Sequence, residues 1–212
     1  MTWAPLRIVC ISDTHGEHER IAVPPGDVLI HAGDLTGLGH MDEISVFNVW
    51  LGRLPHRHKI VIAGNHDFAF ERQAPEAERL ITNAIYLRDR AVGIEGLTVY
   101  GSPWQPWFYD WAFNLRRGAE IAARWARIPQ TTDILVTHGP PAGHGDRTSS
   151  GQVAGCKDLL DRLGQVRPRL HVFGHIHEGY GTTLEGNTTC INASCLDLGY
   201  KPVNAPVVFD WE

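Results

Sequence analysis

The sequence predicts an α/β sandwich, in which helices cover β-sheets. Three observations carry that expectation. Short apolar runs recur along the chain and are closed by Gly, Asp, Asn or His, as buried strands are. Between some of them, apolar residues recur at spacings of three and four, the period of amphipathic helices. No internal repeat, low-complexity tract or linker interrupts the alternation, so residues 1–212 read as a single domain.

In chain order, Leu6–Ile11 reads as a buried strand that stops at Ser-Asp-Thr-His-Gly. Val28–Ala32 is a second strand, closed by Gly33 and Asp34. Met41–Leu54 carries Ile44, Phe47, Trp50, Leu51 and Leu54 and predicts an amphipathic helix. Lys59–Ala63 is a third strand, closed by Gly-Asn-His-Asp. Ala84–Arg88, Ala91–Ile94 and Leu97–Gly101 read as shorter strands with Gly-containing turns. Ala119–Arg127 is helical, and Ile134–Thr137 is a strand ending at His-Gly-Pro-Pro. Cys156–Val166 forms another amphipathic helix through Leu159, Leu160, Leu163 and Val166. Leu170–Phe173 runs into Gly-His-Ile-His, and Thr182–Leu184, Thr188–Asn192 and Val207–Asp210 complete the strands.

Composition narrows the function. The 43% hydrophobic and 20% charged residues are those of an ordinary globular chain, long enough to bury its own core. A net charge of −5 argues against a protein built to grip long nucleic acid. No apolar run approaches the ~18 residues of a membrane span, so no membrane partner is expected. The stretch from Met1 to Asp13 has neither a long apolar segment nor a small-residue cleavage site, which reads against a secretory signal. Cys10, Cys156, Cys190 and Cys195 form no C-x-x-C pair and are too sparse for a disulfide scaffold. They read as reduced thiols of a cytoplasmic protein. The outlier is histidine, at twelve residues, and histidine is the commonest metal ligand.

Five strand ends carry the polar chemistry: Asp13 and His15; Asp34; Asn65, His66 and Asp67; His138; His175 and His177. Ligands of open α/β sheets bind beyond the carboxyl ends of strands, so the five loops are expected to converge. Mixed oxygen and imidazole donors suit Mn, Fe, Co or Zn better than Ca or Mg, and no thiolate belongs to the set. The family resemblance set out below implies a phosphodiester substrate, which resists hydrolysis because its anionic oxygens repel a nucleophile. Two cations about 3.5–4 Å apart neutralise that charge and lower the pKa of bound water toward ~7. A carboxylate between them supplies negative charge to both. The leaving alkoxide needs a proton, and His66, beside Asn65, is placed to give it; Asp67 is expected to orient His66.

The ordered series D-x-H, G-D, G-N-H-D, H and G-H-x-H resembles the calcineurin-like metallophosphoesterase superfamily. Stretches such as CISDTH, GDVLIHAGD, KIVIAGNHD, SPWQPWF, THGPP and LHVFGHIHEGYG are similar to its metallophosphoesterase-domain-containing branch, from about Arg7 to Asp210. The resemblance implies a central β-sandwich flanked by α-helices and two divalent or trivalent transition-metal ions. It implies one metal on Asp13, His15, Asp34 and His177, and another on Asp34, Asn65, His138 and His175. Asp34 and a water or hydroxide would bridge them, while His66 would face substrate. Some vertebrate members of the branch lack the first His of G-H-x-H; His175 is present here. The branch points to phosphodiesters, with cyclic nucleotides as a substrate class. A phosphomonoesterase, a nuclease and a non-catalytic nucleotide-binding module are the rival readings.

The remaining histidines are weighed separately. His31 and His171 lie within strands and are expected to be hydrogen-bonded core residues. His40, His56 and His58 are expected in solvent, and His18 could stand behind the first ligand loop. His144, in a Gly-rich loop after His138, is a candidate substrate contact together with Asn65 and His66. Trp104, Trp107, Phe108, Tyr109, Trp111 and Phe113 read as a hydrophobic plug under a long loop rather than a stacking wall.

Overall fold

The computed structural model describes residues 5–212; the first four residues of the stretch read for a signal lie outside the described residues. In chain order the elements are β1 (Leu6–Ile11), β2 (Val28–His31), α1 (Met41–Arg53), β3 (His58–Val61), α2 (Phe68–Arg72), α3 (Ala74–Leu80), β4 (Ile85–Tyr86), β5 (Arg90–Ile94), β6 (Leu97–Ser102), β7 (Gln105–Pro106), β8 (Asn114–Leu115), α4 (Ala119–Trp125), β9 (Ile134–Thr137), α5 (Lys157–Val166), β10 (Leu170–Phe173), β11 (Gly181–Glu185), β12 (Thr188–Asn192) and β13 (Val207–Trp211).

The strands form two main sheets. The first has the order β13-β1-β2-β3-β4 and the second β11-β12-β10-β9-β6-β5. Strands β1 to β4 pair in parallel, as do β12, β10, β9 and β6, and β13, β5 and β11 are antiparallel edges. Side chains alternate across each strand, so each sheet has two apolar faces. Ile8, Ile30 and Ile60 of the first sheet share one buried cluster with Val99, Val136 and Val172 of the second. A second cluster joins Val9, Leu29 and Leu135 to the helix residues Phe47, Ala77, Ile121 and Leu163. Burying one such large aliphatic or aromatic side chain is worth roughly 1.5–3 kcal/mol, so the layers are held by many modest terms.

The expected strand–helix alternation is present, with local differences, among them the unexpected two-stranded ribbon of β7 and β8. Helices α2 and α3 were not expected, because each is too short for a clear 3.6 period; fully buried positions are few, Ala69 and Phe70 in one and Ala77 in the other. The strand expected over 84–88 keeps only Ile85–Tyr86. No helix among the described residues is long and apolar enough to cross a membrane.

Candidate metal centre

Parallel strands point their carboxyl ends the same way, so the loops after β1, β2 and β3 meet those after β9 and β10. The two sheets are stitched there. Ser12 bridges to Ser194, and the Cys195 N–H donates to the Ser12 carbonyl at 2.9 Å. The backbone turns sharply at the donors: Asp13, His15, Asp34 and His175 have φ of 54°, 42°, 54° and 69°. Non-glycine residues in this left-handed region carry strain, which the surroundings must over-determine. Here the Asp13 N–H donates to Gly33 O and the His15 N–H to Asp34 O, both at 3.0 Å. The His175 N–H donates to the Asp13 carboxylate at 3.0–3.1 Å. Glycine is required where donors crowd the chain: a Cβ on Gly174 would overlap the Asp13 carboxylate, and one on Gly64 would overlap that of Asp34.

Two groups of donors share one oxygen. In the first, His15 Nε2 lies 3.2 Å from His177 Nε2 and 3.6 Å from Asp34 Oδ2, and His177 Nε2 lies 3.7 Å from Asp13 Oδ1. In the second, Asn65 Oδ1 lies 2.8 Å from His138 Nε2 and 2.7 Å from His175 Nδ1, and His138 Nε2 lies 3.5 Å from Asp34 Oδ2. Atoms bound to one ion at about 2.0–2.2 Å are separated by roughly these distances. The bridging expected of Asp34 falls to one oxygen. Oδ1 accepts the His66 N–H at 2.8 Å, so Oδ2 alone faces both groups.

The donor chemistry fits cations. His177 Nδ1 is 3.1 Å from the Asp197 carbonyl and His138 Nδ1 is 3.0 Å from the Ala32 carbonyl. In the neutral imidazoles these carbonyls hold the ring proton on Nδ1 and leave the Nε2 lone pairs facing the other donors. The Nε2 lone pair of His177 and the converging Asn65 Oδ1 and Asp34 Oδ2 call for positive charge between them. Burial lowers His15 to about 4 and His175 to about 3, keeping both neutral. Burial would lower His138 too, but the Asp34 charge raises it to about 9. Burial would raise the Asp34 carboxyl, yet the surrounding imidazoles, His138 foremost, hold it well below the usual range.

His66 stands at the edge of the donor groups. Its Nδ1 lies 2.8 Å from the Gly37 carbonyl, and its ring stacks on Trp111 at 4.2 Å and meets His15 edge-on at 4.5 Å. His15, Asp34, Asn65, His175, His177 and His66 line a pocket of about 240 Å³, with Phe108, Trp111, Leu198 and Tyr200 completing its wall, while Asp13 and His138 lie buried behind it.

Two expectations are corrected. Asp67 does not touch the His66 ring. Its carboxylate is buried and accepts from Leu35 N at 3.1 Å, Thr36 N at 3.0 Å, Thr36 Oγ1 at 2.7 Å and Gly64 N at 2.7 Å. It braces the loops after β2 and β3, and the ring of His66 is held instead by Gly37, the neighbour of Thr36. Burial, then the Asp34 charge, push the Asp67 carboxyl up to about 6 against these donors. His144 does not reach the pocket: its Nδ1 lies 2.9 Å from Thr183 Oγ1 and its Nε2 3.2 Å from Glu185 Oε2, both on β11.

Other histidines and the aromatics also divide. His31 and His171 are buried, 2.9 Å from Thr14 Oγ1 and 2.8 Å from Thr137 Oγ1. His56 is buried against the Pro24 carbonyl rather than solvated, and His18 packs between Phe47 and Trp50. Trp104 and Phe113 form the expected plug, while Phe108 and Trp111 reach the pocket. Sequence reasoning did not single out Ser194, whose Oγ donates to Asp13 Oδ2 at 2.7 Å, nor Gly37, Asp197, Leu198 or Tyr200. The stretch Ile191–Ser194, INAS, also resembles the family, but its part in holding Asp13 shows only in the fold, where Ser12 bridges to Ser194.

Two layered sheets with Asp, His and Asn gathered at their carboxyl ends define the class of the metallophosphoesterases. The chain belongs to the calcineurin-like phosphoesterase family, whose model matches residues 6–179. It is 48% identical to the human metallophosphoesterase domain-containing protein 1, covering 96% of this chain and 70% of that protein. It is 43% identical to the UPF0046 protein T07D4.2 of Caenorhabditis elegans, covering 97% of this chain and 60% of that protein. Among solved structures, TT1561 of Thermus thermophilus is similar with a TM-score of 0.64 at 16% identity, covering 97% of this chain and 99% of that one. That likeness speaks for the fold.

Proposed function

We propose that the protein is a dinuclear-metal phosphodiesterase acting on a small diester, with cyclic nucleotides as a substrate class. One observation carries the reading: the two donor groups meet at a single oxygen, Asp34 Oδ2, 3.6 Å from His15 Nε2 and 3.5 Å from His138 Nε2. Asp13, His15, Asp34 and His177 would hold one ion, and Asp34, Asn65, His138 and His175 the other. Mn, Fe, Zn and Co all suit these donors. A pair of such ions neutralises phosphate oxygens and makes water nucleophilic at neutral pH.

The chain's own residues do the rest. Gly37 O fixes His66 Nδ1 as a donor, so Nε2 is the atom that exchanges a proton with substrate. Hydrolysis consumes one water: its OH bonds to phosphorus as its other proton is released, the P–O bond to the leaving group breaks, His66, protonated on both ring nitrogens, gives its Nε2 proton to the leaving oxygen, and the released proton restores His66. Trp111, stacked on His66, limits the tilt of the ring. Asp67 holds the Thr36 backbone, and through it the carbonyl that orients His66.

The pocket walls favour a diester over a monoester. Among the described residues no Lys or Arg lines the pocket, so no side-chain cation meets the second charge of a monoester, while Phe108, Trp111, Leu198 and Tyr200 offer apolar surface to an organic substituent. The four buried free cysteines suit a reducing compartment and support a cytoplasmic protein. The test compares one aryl phosphodiester with one aryl phosphomonoester, using protein loaded separately with Mn, Fe, Zn or Co and assayed for bound metal. Metal-stimulated turnover of the diester in preference to the monoester is expected. Two bound ions with no turnover of either ester would support the binding-module reading instead.

A further inference from the structure

The pocket that holds the donors is small. Its roughly 240 Å³ fall below the ~300–1,000 Å³ of pockets that enclose a ligand. A second cavity, of about 440 Å³, adjoins it and shares His177 and Leu198 as walls. Its other walls include Glu178, Tyr180, Asp197, Val203 and Asn204. All of these but Glu178 lie beyond residue 179, where the match to the family model ends. This groove is therefore built by the C-terminal segment, outside the stretch that carries the family likeness.

The loop bounding the groove is braced. Asp197 Oδ1 accepts Gly199 N at 2.8 Å and Lys201 N at 2.9 Å, and the Asp197 N–H donates to Lys201 O at 2.9 Å. The Asn204 N–H donates to Cys195 O at 3.1 Å. Asp197 O meanwhile faces His177 Nδ1, so one turn both steadies a candidate ligand and shapes the groove. On this fixed backbone Leu198 is 58% and Val203 60% exposed. Both side chains stand in water at the rim of the cavity, where an organic group entering it would meet them. The charge is one-sided: Glu178 and Asp197 line the groove, and among the described residues no Lys or Arg does; Lys201 lies on the same loop but outside the lining.

We propose that this groove receives the ester arm that stays on phosphorus, and that it accepts an uncharged or cationic arm and rejects an anionic one. The inference rests on the diesterase reading above. The leaving arm must lie beside His66, the proton donor, and His66 does not line the groove. The arm that remains is then directed over His177 and Leu198. There Leu198, Val203 and Tyr180 offer apolar contact, while the two carboxylates attract a cation and repel an anion.

The experiment uses the Mn-loaded full chain and four diesters with one leaving group, 4-nitrophenolate. The retained arm is methyl, phenyl, choline or carboxypropyl. The phenyl and choline diesters should exceed the methyl diester in kcat/KM by about tenfold or more, the range that apolar contacts supply, and the carboxypropyl diester should fall below it. Val203→Trp, which fills the groove, should bring the phenyl-to-methyl ratio toward one. Glu178→Gln should lower the choline-to-phenyl ratio. Equal kcat/KM across the four arms overturns the proposal on the wild-type protein alone, as does a phenyl-to-methyl ratio unmoved by Val203→Trp. Turnover of 4-nitrophenyl phosphate with none of any diester overturns the diesterase reading, and this inference with it.

Discussion

The two sheets contribute unlike halves to one centre. The first sheet supplies Asp13, His15, Asp34 and Asn65, and so every oxygen donor and all the negative charge. The second supplies His138, His175 and His177, imidazoles only. The backbone follows the same division: three of the first sheet's four donors have positive φ, against one of the second's three. Charge compensation is thus concentrated on one side, in short strained loops, and the other side closes over it with donors that add no charge. Losing a donor from the first sheet should therefore cost more than losing one from the second.

The largest effect is expected at Asp34, the shared carboxylate. Asp34→Ala should abolish binding of both ions and lower turnover by on the order of 10³-fold or more, as loss of metal-ion catalysis implies. Elemental analysis checks it, and two retained ions would break the asymmetry between the sheets. His66→Ala should keep both ions and lose about 10²–10⁴-fold in rate with a poor leaving group. With 4-nitrophenolate, which leaves without a proton, the loss should be much smaller; equal losses would remove the general acid. His138→Ala, on the second sheet, should release one ion and keep the other, read as metal stoichiometry. Ser194→Ala and its bond to Asp13 test the stitch between the halves, with metal affinity expected to fall about 10–100-fold.

The smallest effect concerns pH. His31 and His171 occupy comparable places, one in each sheet, each against a threonine next to a candidate ligand. Burial lowers both to about 3. The unfolded chain takes up protons at these residues below roughly pH 6.5, and the folded chain does not. Their contribution is therefore fully present above that pH and is lost as pH falls toward 3. Thermal unfolding followed from pH 8 to pH 4 should show the decline, and His171→Gln should flatten it. An unchanged slope would mean that this histidine is not held neutral.

The strand ends were legible because apolar runs closed by Asp, Asn, His and Gly mark both a fold and a site. Direction within a loop was not. Asp67 follows His66 by one residue, yet its side chain turns inward to four donors from three other residues. His144 follows His138 by six, and the intervening Gly139 and Gly143 let the chain carry it away to β11. The aromatic run had no single fate: Trp104 and Phe113 are buried, while Phe108 and Trp111 reach the pocket, a division that no residue type in the run announces. Leu198 and Tyr200 escaped notice for another reason. An apolar residue in a late loop carries no polar signature, and only the fold brings it beside residues more than 180 positions earlier.

The pairing of Leu6 with Trp211 sets β1 beside β13, about 200 residues further along the chain. During synthesis, β1 waits with one side unpaired until residues 207–211 have followed it. Unpaired strands template association with other chains. A product released before residue 207 would therefore carry an open, adhesive margin along β1.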